Sequence, residues 1–321
     1  MASVLVSTSM KKRKIREMIN MIAFVILHYN TIEHTLACIE NIKAMIDTTD
    51  FHIIVVDNAS PNKTGIELSN LYEKDTTVTV LCSKDNVGFA KGNNIGFKYA
   101  KNILKAKYIV LLNGDTRILT KNLSYAIEKE YAQFNAGVIG PLIISGDGKV
   151  TSNPMRDMPV DFQTAKKFIS EYNSRLWGIT HGVIGFAWGK IYDIFFRVRK
   201  KIERRFARDC VIKDIWLDRI QRRENIVLHG CFLVFTPLYI NRFDGLYERT
   251  FMYMEEDFLS RRCELSDIEM SYCPEIIIYH YEGGATAKGK SITEKKRFYY
   301  EQSLKSLELY CDFLKENNLI L

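Results

Sequence analysis

Three short stretches carry residues whose types suit chemistry on a charged substrate. "YIVLLNGD" (Tyr108 to Asp115) runs an apolar strand straight into Asn113-Gly114-Asp115. A carboxylate just beyond a buried strand can bind Mg²⁺ or Mn²⁺ across two phosphates, because these ions take oxygen ligands and keep positions open for substrate oxygens. "MYMEEDFLSRR" sets Glu255, Glu256 and Asp257 side by side. Crowded carboxylates raise one another's pKa, which suits one of them to act as a general base. His280 closes an apolar run and precedes Gly283-Gly284, the mark of a turn near a site. Each stretch also has an ordinary reading: a turn, an acidic helix start that complements the dipole, a core histidine.

A fourth stretch, "DNVGFAKGNNIG", spaces Gly88, Gly92 and Gly96 four apart. That spacing fits neither the dinucleotide fingerprint nor the P-loop, which disfavours a Rossmann dehydrogenase and a P-loop enzyme. It still permits close backbone approach to a ligand, with Asn86, Lys91 and Asn93 as hydrogen-bond donors.

The elements that must position these residues are legible as alternation. "IAFVIL", "HIIVVD", "TVTVLC", "YIVLL" and "GVIG" read as short apolar strands, and Ile32, Leu36, Ile39, Ile42 and Ile46 form a helical stripe between the first two. The pattern predicts an α/β fold with a mostly parallel central sheet and flanking helices, in which ligands sit outside the carboxyl ends of the strands. Those ends are His28-Tyr29-Asn30, Asp57-Asn58-Ala59-Ser60, the Asn86 region and Asn113-Gly114-Asp115. Their convergence on one edge outweighs any single motif. From Thr151 to Leu228 the alternation stops, in a stretch that is aromatic, basic and without clear strands. Strand character returns at "GCFLVF" and "CPEIIIYH", and Tyr300, Leu304, Leu307, Cys311 and Leu314 predict a C-terminal helix.

The chain has 321 residues, 47% hydrophobic and 26% charged, which excludes global disorder. No apolar run approaches the roughly 18 to 20 residues of a spanning helix, and no signal-peptide core stands at the N-terminus, so a cytoplasmic, soluble or peripheral protein is expected. The seven cysteines form no C-x-x-C pair, which argues against a disulfide framework or a zinc knuckle. The net charge of +7 is clustered at Lys11 to Arg16 and at Lys190 to Arg208. In the second cluster Ile191, Ile194, Phe195, Val198, Ile202 and Phe206 share one helical stripe opposite Lys and Arg. Such a helix suits an anionic membrane surface, or packs on the core with a solvated basic face.

The stretches "VILHYN", "IIVVDNAS", "DNVGFAKGNNIGFKYA", "YIVLLNGDT", "HGCFLVF", "FDGLYERTFMYMEEDFLSRR" and "PEIIIYHYEGGAT", in this order and spacing, resemble the family 2 glycosyltransferases with the GT-A fold, in particular bacterial capsule, O-antigen and rhamnosyl transferases. The resemblance covers Ile22 to about Pro141 and Gly230 to about Leu314. It implies inverting transfer of a sugar from a nucleotide diphosphate, dTDP-rhamnose or a UDP-sugar, to a hydroxyl of a lipid-linked saccharide. By resemblance Asp57 contacts the nucleotide base near Tyr29 and Asn30, and Asn86 to Asn94, with Gly88, Lys91 and Asn93, lie along the donor. Asp115, with Asn113 in place of a first acid, and His280 would bind Mg²⁺ or Mn²⁺. The base falls on Glu256, with Glu255 and Asp257 as its flanking candidates.

The implied organisation is a basic extension at 1–20, a nucleotide-sugar half at 21–150, a helical basic insertion for acceptor and membrane at 151–229, a catalytic half at 230–290 and a C-terminal helix at 291–321. A nucleic-acid partner is not expected, because no helix-turn-helix or RNA-binding signature accompanies the charge. A catalytically silent binding or assembly module of the same fold is the alternative.

Overall fold

The structure is a computed structural model that describes residues 21–146, 148, 153–181, 220–281 and 291–320. The basic stretches at Lys11 to Arg16 and Lys190 to Arg208, and Gly283-Gly284, lie outside the described residues.

The first half alternates as the sequence predicts: β1 (Ile22–His28), α1 (Ile32–Met45), β2 (Phe51–Asp57), α2 (Thr64–Leu71), β3 (Val78–Cys82), α3 (Phe89–Asn102) and β4 (Tyr108–Asn113). Then follow β5 (Thr116–Ile118), α4 (Leu123–Phe134), β6 (Val138–Ser145) and α5 (Phe162–Thr180). The last part holds β7 (Arg223–Glu224), β8 (Phe232–Phe235), the short α6 (Pro237–Ile240), α7 (Glu255–Leu265), β9 (Met270–His280) and α8 (Ile292–Glu316).

The strands form one sheet in the order β3-β2-β1-β4-β8-β6-β9-β5, with β7 beside β9. β3, β2, β1 and β4 are parallel neighbours, and β6 is parallel to β9. β8 runs against both β4 and β6, and β5 and β7 run against β9. Two details depart from the sequence reading. β5 is a strand of three residues, too short to show a period, and β7 with the Arg156–Val227 bridge places strand pairing in the stretch read as having none.

Both sheet faces are apolar because both are covered. Along β1, Ile22, Phe24 and Ile26 join α1, α2 and α4 in one core, while Ala23 and Val25 pack with α3, α6 and α7 in another. Gly92 and Gly96 face side chains of this second core. A Cβ at Gly92 would lie 2.6 Å from Leu27 Cδ1, and one at Gly96 would lie 2.4 Å from Val25 Cγ1. These two glycines let α3 sit close on the sheet, where the sequence reading had them in a loop open to a ligand.

A third core joins α7 to α5 and α8, with Phe258 stacked on Tyr247 at 4.3 Å and edge-on to Tyr310. α5 is capped by Asp161, which accepts from Thr164 N, and α8 by a Ser291–Glu294 capping box. Among the described residues, no helix is long and apolar enough to cross a membrane.

Candidate active site

The parallel strands all deliver their carboxyl ends to one edge of the sheet, where a cavity of about 850 Å³ opens. It is lined by Tyr29 and Asn30 after β1, Asn58 after β2, Asn86 and Gly88 before α3, and Asn113, the last residue of β4, with Gly114 and Asp115 beyond it. His280 arrives at the end of β9. β8 runs the other way, so it is its leading flank, His229-Gly230-Cys231, that reaches the same edge. Glu255, Glu256 and Asp257 enter from the first turn of α7.

At the β1 and β2 ends the backbone is bent into position. Asn30 and Ala59 have left-handed φ of 63° and 57°. Asn30 N donates to Ser60 Oγ at 2.9 Å, while Asn30 Oδ1 is buried with no hydrogen-bond partner among the described residues. His28 does not face the cavity. Its ring nitrogens lie 2.8 Å from Thr35 Oγ1 and 2.8 Å from Thr64 Oγ1, which ties the starts of α1 and α2 to β1, and burial lowers its pKa.

Asp57 also turns inward. It accepts from Ser60 Oγ at 2.5 Å, and a Cβ on Gly65 would stand 2.1 Å from its Oδ2. Asp57 therefore braces the turn that presents Asn58, and is not itself part of the cavity wall. Asn58 in turn organises the next loop. Its Nδ2 donates to Asn86 Oδ1 (3.0 Å) and Gly88 O (3.1 Å), and its Oδ1 accepts from Val87 N. Gly88 is required here: its φ is +88°, and a Cβ would lie 2.2 Å from Phe251 O. Lys91 and Asn93 fall on α3 away from the cavity, Asn93 donating to Phe89 O. The structure thus brings together Tyr29, Asn30, Asn86, Gly88, Asn113, Asp115, His280 and the three acids, but leaves Asp57, Lys91 and Asn93 outside the lining.

The meeting of Asp115 with His280 depends on β5. Thr116 pairs with His280 across the β5–β9 ladder, and Tyr281 N donates to Asp115 O. His280 Nε2 then lies 3.3 Å from Asp115 Oδ1, while Nδ1 is buried with no partner among the described residues. Among those residues no group of three or more His, Cys, Asp or Glu could hold a metal. The donor set is therefore one carboxylate and one imidazole. That suits a divalent cation whose remaining positions are filled by substrate and water, with imidazole favouring Mn²⁺ over Mg²⁺.

His229 is a site residue that the sequence reading passed over. Its ring lies 5.7 Å from that of His280, and its Nδ1 accepts from Cys231 N at 3.1 Å. Burial, with His280 alongside, lowers its pKa to about 4. The imidazole is accordingly neutral, and with Nδ1 accepting, Nε2 carries the proton.

The three acids have three different environments. Asp257 is buried, pairs with Arg156 Nη2 at 2.5 Å and accepts from Val160 N at 2.8 Å, so its carboxylate is fully engaged in holding the chain before α5. Glu255 is buried beside Thr250, and burial first, then the Glu256 charge, raises its pKa. Glu256 is half-buried and accepts from Gly230 N at 3.3 Å; burial raises its pKa too. Of the three, Glu256 combines cavity access with a carboxylate suited to taking a proton. The helix start beneath them is strained: Tyr253 and Met254 have φ of 75° and 71°, at a cost of about 1–3 kcal/mol each, which marks functional sites.

Residues 23–195 match the family described as glycosyl transferase family 2. That span exceeds half the chain, and the protein belongs to this family of nucleotide-sugar-dependent transferases, with the GT-A fold. No curated protein matches the chain. GalNAc-T7, solved with UDP, GalNAc and Mn²⁺, is similar in fold with a TM-score of 0.51 at 10% identity, over 88% of this chain and 48% of that one. TarS from S. aureus in complex with UDP reaches 0.49 at 12% identity, over 89% of this chain and 70% of the other. The mannosyltransferase PcManGT from Pyrobaculum calidifontis, with GDP-Man and Mn²⁺, reaches 0.48 at 13%, over 88% and 69%.

Proposed function

We propose that the protein is an inverting glycosyltransferase that moves a sugar from a nucleoside diphosphate, dTDP-rhamnose or a UDP-sugar, to a hydroxyl of a lipid-linked saccharide in bacterial surface polysaccharide synthesis. One observation carries the reading: the Asp115–His280 pair and the Glu256 carboxylate line the same cavity.

Glu256 takes the proton of the acceptor hydroxyl as that oxygen bonds to the anomeric carbon. The bond from that carbon to the diphosphate breaks, and its electron pair leaves with the phosphate. A single displacement of this kind inverts the centre and needs no protein nucleophile. Gly230 N–H keeps the Glu256 carboxylate in place, Asn30 Oδ1 offers an acceptor to the nucleoside, and His229 Nε2–H offers a neutral hydrogen bond to the leaving group. Asp115 and His280 would hold Mn²⁺ or Mg²⁺, which when bound supplies positive charge to the departing diphosphate.

The test is a thermal-shift panel of nucleotide sugars with and without Mn²⁺, followed by hydrolysis of the preferred donor. Stabilisation scales with saturation, so one donor should stand out. Flat curves across the panel refute the donor site, and hydrolysis that survives Glu256→Gln refutes the assigned base.

The lipid-linked acceptor would place the protein at the cytoplasmic face of the membrane, held through the Lys190 to Arg208 stretch. Co-sedimentation with anionic vesicles tests this: binding unchanged after neutralising Lys200, Lys201, Arg204 and Arg205 would rule that stretch out as the anchor.

A further inference from the structure

The cavity has a second wall, remote from the strand ends and different in chemistry. It is built from Phe168 and Tyr172 of α5, Phe298 and Tyr299 of α8, and Tyr253 in the loop before α7. Tyr299 lies edge-on to Tyr253, with centroids 5.0 Å apart and planes at 71°. The Tyr172 ring is 5.8 Å from that of Tyr299, and their hydroxyls are 3.1 Å apart. Although three other aromatic rings surround it, Tyr299 remains 39% exposed. The left-handed backbone at Tyr253, uncommon for so bulky a residue, sets that side chain on the cavity wall three positions before Glu256.

We infer that this wall is a stacking platform for a pyranose ring of the acceptor, an assignment that rests on the transferase reading above. The chemistry is complementary. A pyranose presents a face of weakly positive C–H groups and an edge of hydroxyls. An aromatic ring presents a negative face, and these tyrosines add phenolic groups that donate and accept at the rim. An alkyl chain would use the rings alone, whereas the Tyr172 and Tyr299 hydroxyls, 3.1 Å from one another, each keep acceptor capacity for a sugar hydroxyl. The strand-end wall is of another kind, mostly polar, with Asn30, Asn58, Asn86, Asn113, Asp115 and His280 around the ring of Tyr29. α5 and α8 therefore set which saccharide is accepted, while the sheet edge sets the donor.

The test is saturation-transfer NMR on the full chain, irradiating aromatic protons, with methyl glycosides of glucose, galactose, rhamnose and N-acetylglucosamine as probes. Transfer to the ring C–H protons of at least one glycoside is expected, weakened about tenfold in affinity by Tyr299→Ala and kept by Tyr299→Phe, with circular dichroism reporting the fold. No transfer to any glycoside, or unchanged transfer in Tyr299→Ala, overturns the platform. A folded Tyr299→Ala that loses its thermal response to UDP and dTDP also overturns it, since the rings would then be stacking a nucleobase. Failure of the transferase reading looks different: the wild-type protein would ignore nucleotides yet still show transfer to a glycoside.

Discussion

Asp115 Oδ1 stands 3.3 Å from His280 Nε2 because Thr116 and His280 are ladder partners in β5 and β9. Two residues 165 positions apart (280 − 115) thereby act as one unit. If the pair holds a divalent ion, Mn²⁺ should add a thermal shift on top of that given by the nucleoside diphosphate. Asp115→Asn and His280→Ala should each remove the Mn²⁺ increment while the nucleotide-only shift remains. Equal increments in wild type and both variants would place the metal elsewhere.

Glu256 and Gly230 form a second unit, this one dependent on the absence of a side chain. A Cβ on Gly230 would lie 2.8 Å from Glu256 Oε1, so Gly230→Ala should displace the carboxylate rather than unfold the chain. A misplacement of about 1 Å predicts a loss on the order of 10²-fold in kcat. Glu256→Gln should lose about 10²- to 10⁴-fold, as expected for removal of a general base. Donor-induced thermal shifts measured alongside turnover should stay near wild type in both variants.

Asp257 separates stability from chemistry. It holds Arg156 and Val160 N, and Tyr310 Oη donates to Val160 O, so the segment before α5 is fastened to both α7 and α8. Asp257→Ala should destabilise by about 1–3 kcal/mol by leaving buried groups unpaired. Denaturant unfolding measures this directly, and donor hydrolysis per folded molecule should change far less than in Glu256→Gln.

Glu255 gives a pH signature of definite sign. Its folded pKa is raised, first by burial and then by Glu256, so the folded state holds a proton that the unfolded chain releases near its usual value of about 4.3. Stability should therefore fall as pH rises from that value towards the raised one. Glu255→Gln removes the ionisation that favours the unfolded chain and should raise the melting temperature at neutral pH, with a gain that shrinks on acidification. The same burial of Glu256 should move the acid limb of the rate profile above the ordinary glutamate range.

Much of this site was legible because buried parallel strands are short apolar runs whose ends must carry the polar residues. Asn30, Asn86, Asn113 and Asp115 follow that rule and line the cavity. Asp57 obeys the same rule but turns inward, because Ser60 is near enough to bond it, and this depends on a loop conformation with no periodicity. His229 lay out of view because β8 is antiparallel and presents its beginning, not its end, to the edge. Gly92 and Gly96 looked like a ligand loop, yet four-residue spacing is also one helical face, and here that face meets the sheet. The roles of Glu255, Glu256 and Asp257 could not be separated by residue type, since only their neighbours Thr250, Gly230 and Arg156 distinguish them.

The direction of β8 also has a kinetic consequence. β1 to β4 are joined through successive βα units, whereas the pairing of Leu112 with Phe232 closes a span of 120 residues (232 − 112). Long-range pairing of this kind is slow, because the entropy of loop closure must be met before any contact forms. In refolding from denaturant, helical signal from α1 to α3 should return ahead of nucleotide binding. During synthesis, β1 to β4 would emerge well before β8, and turnover would wait on β8 and on Glu256 and His280, which follow it.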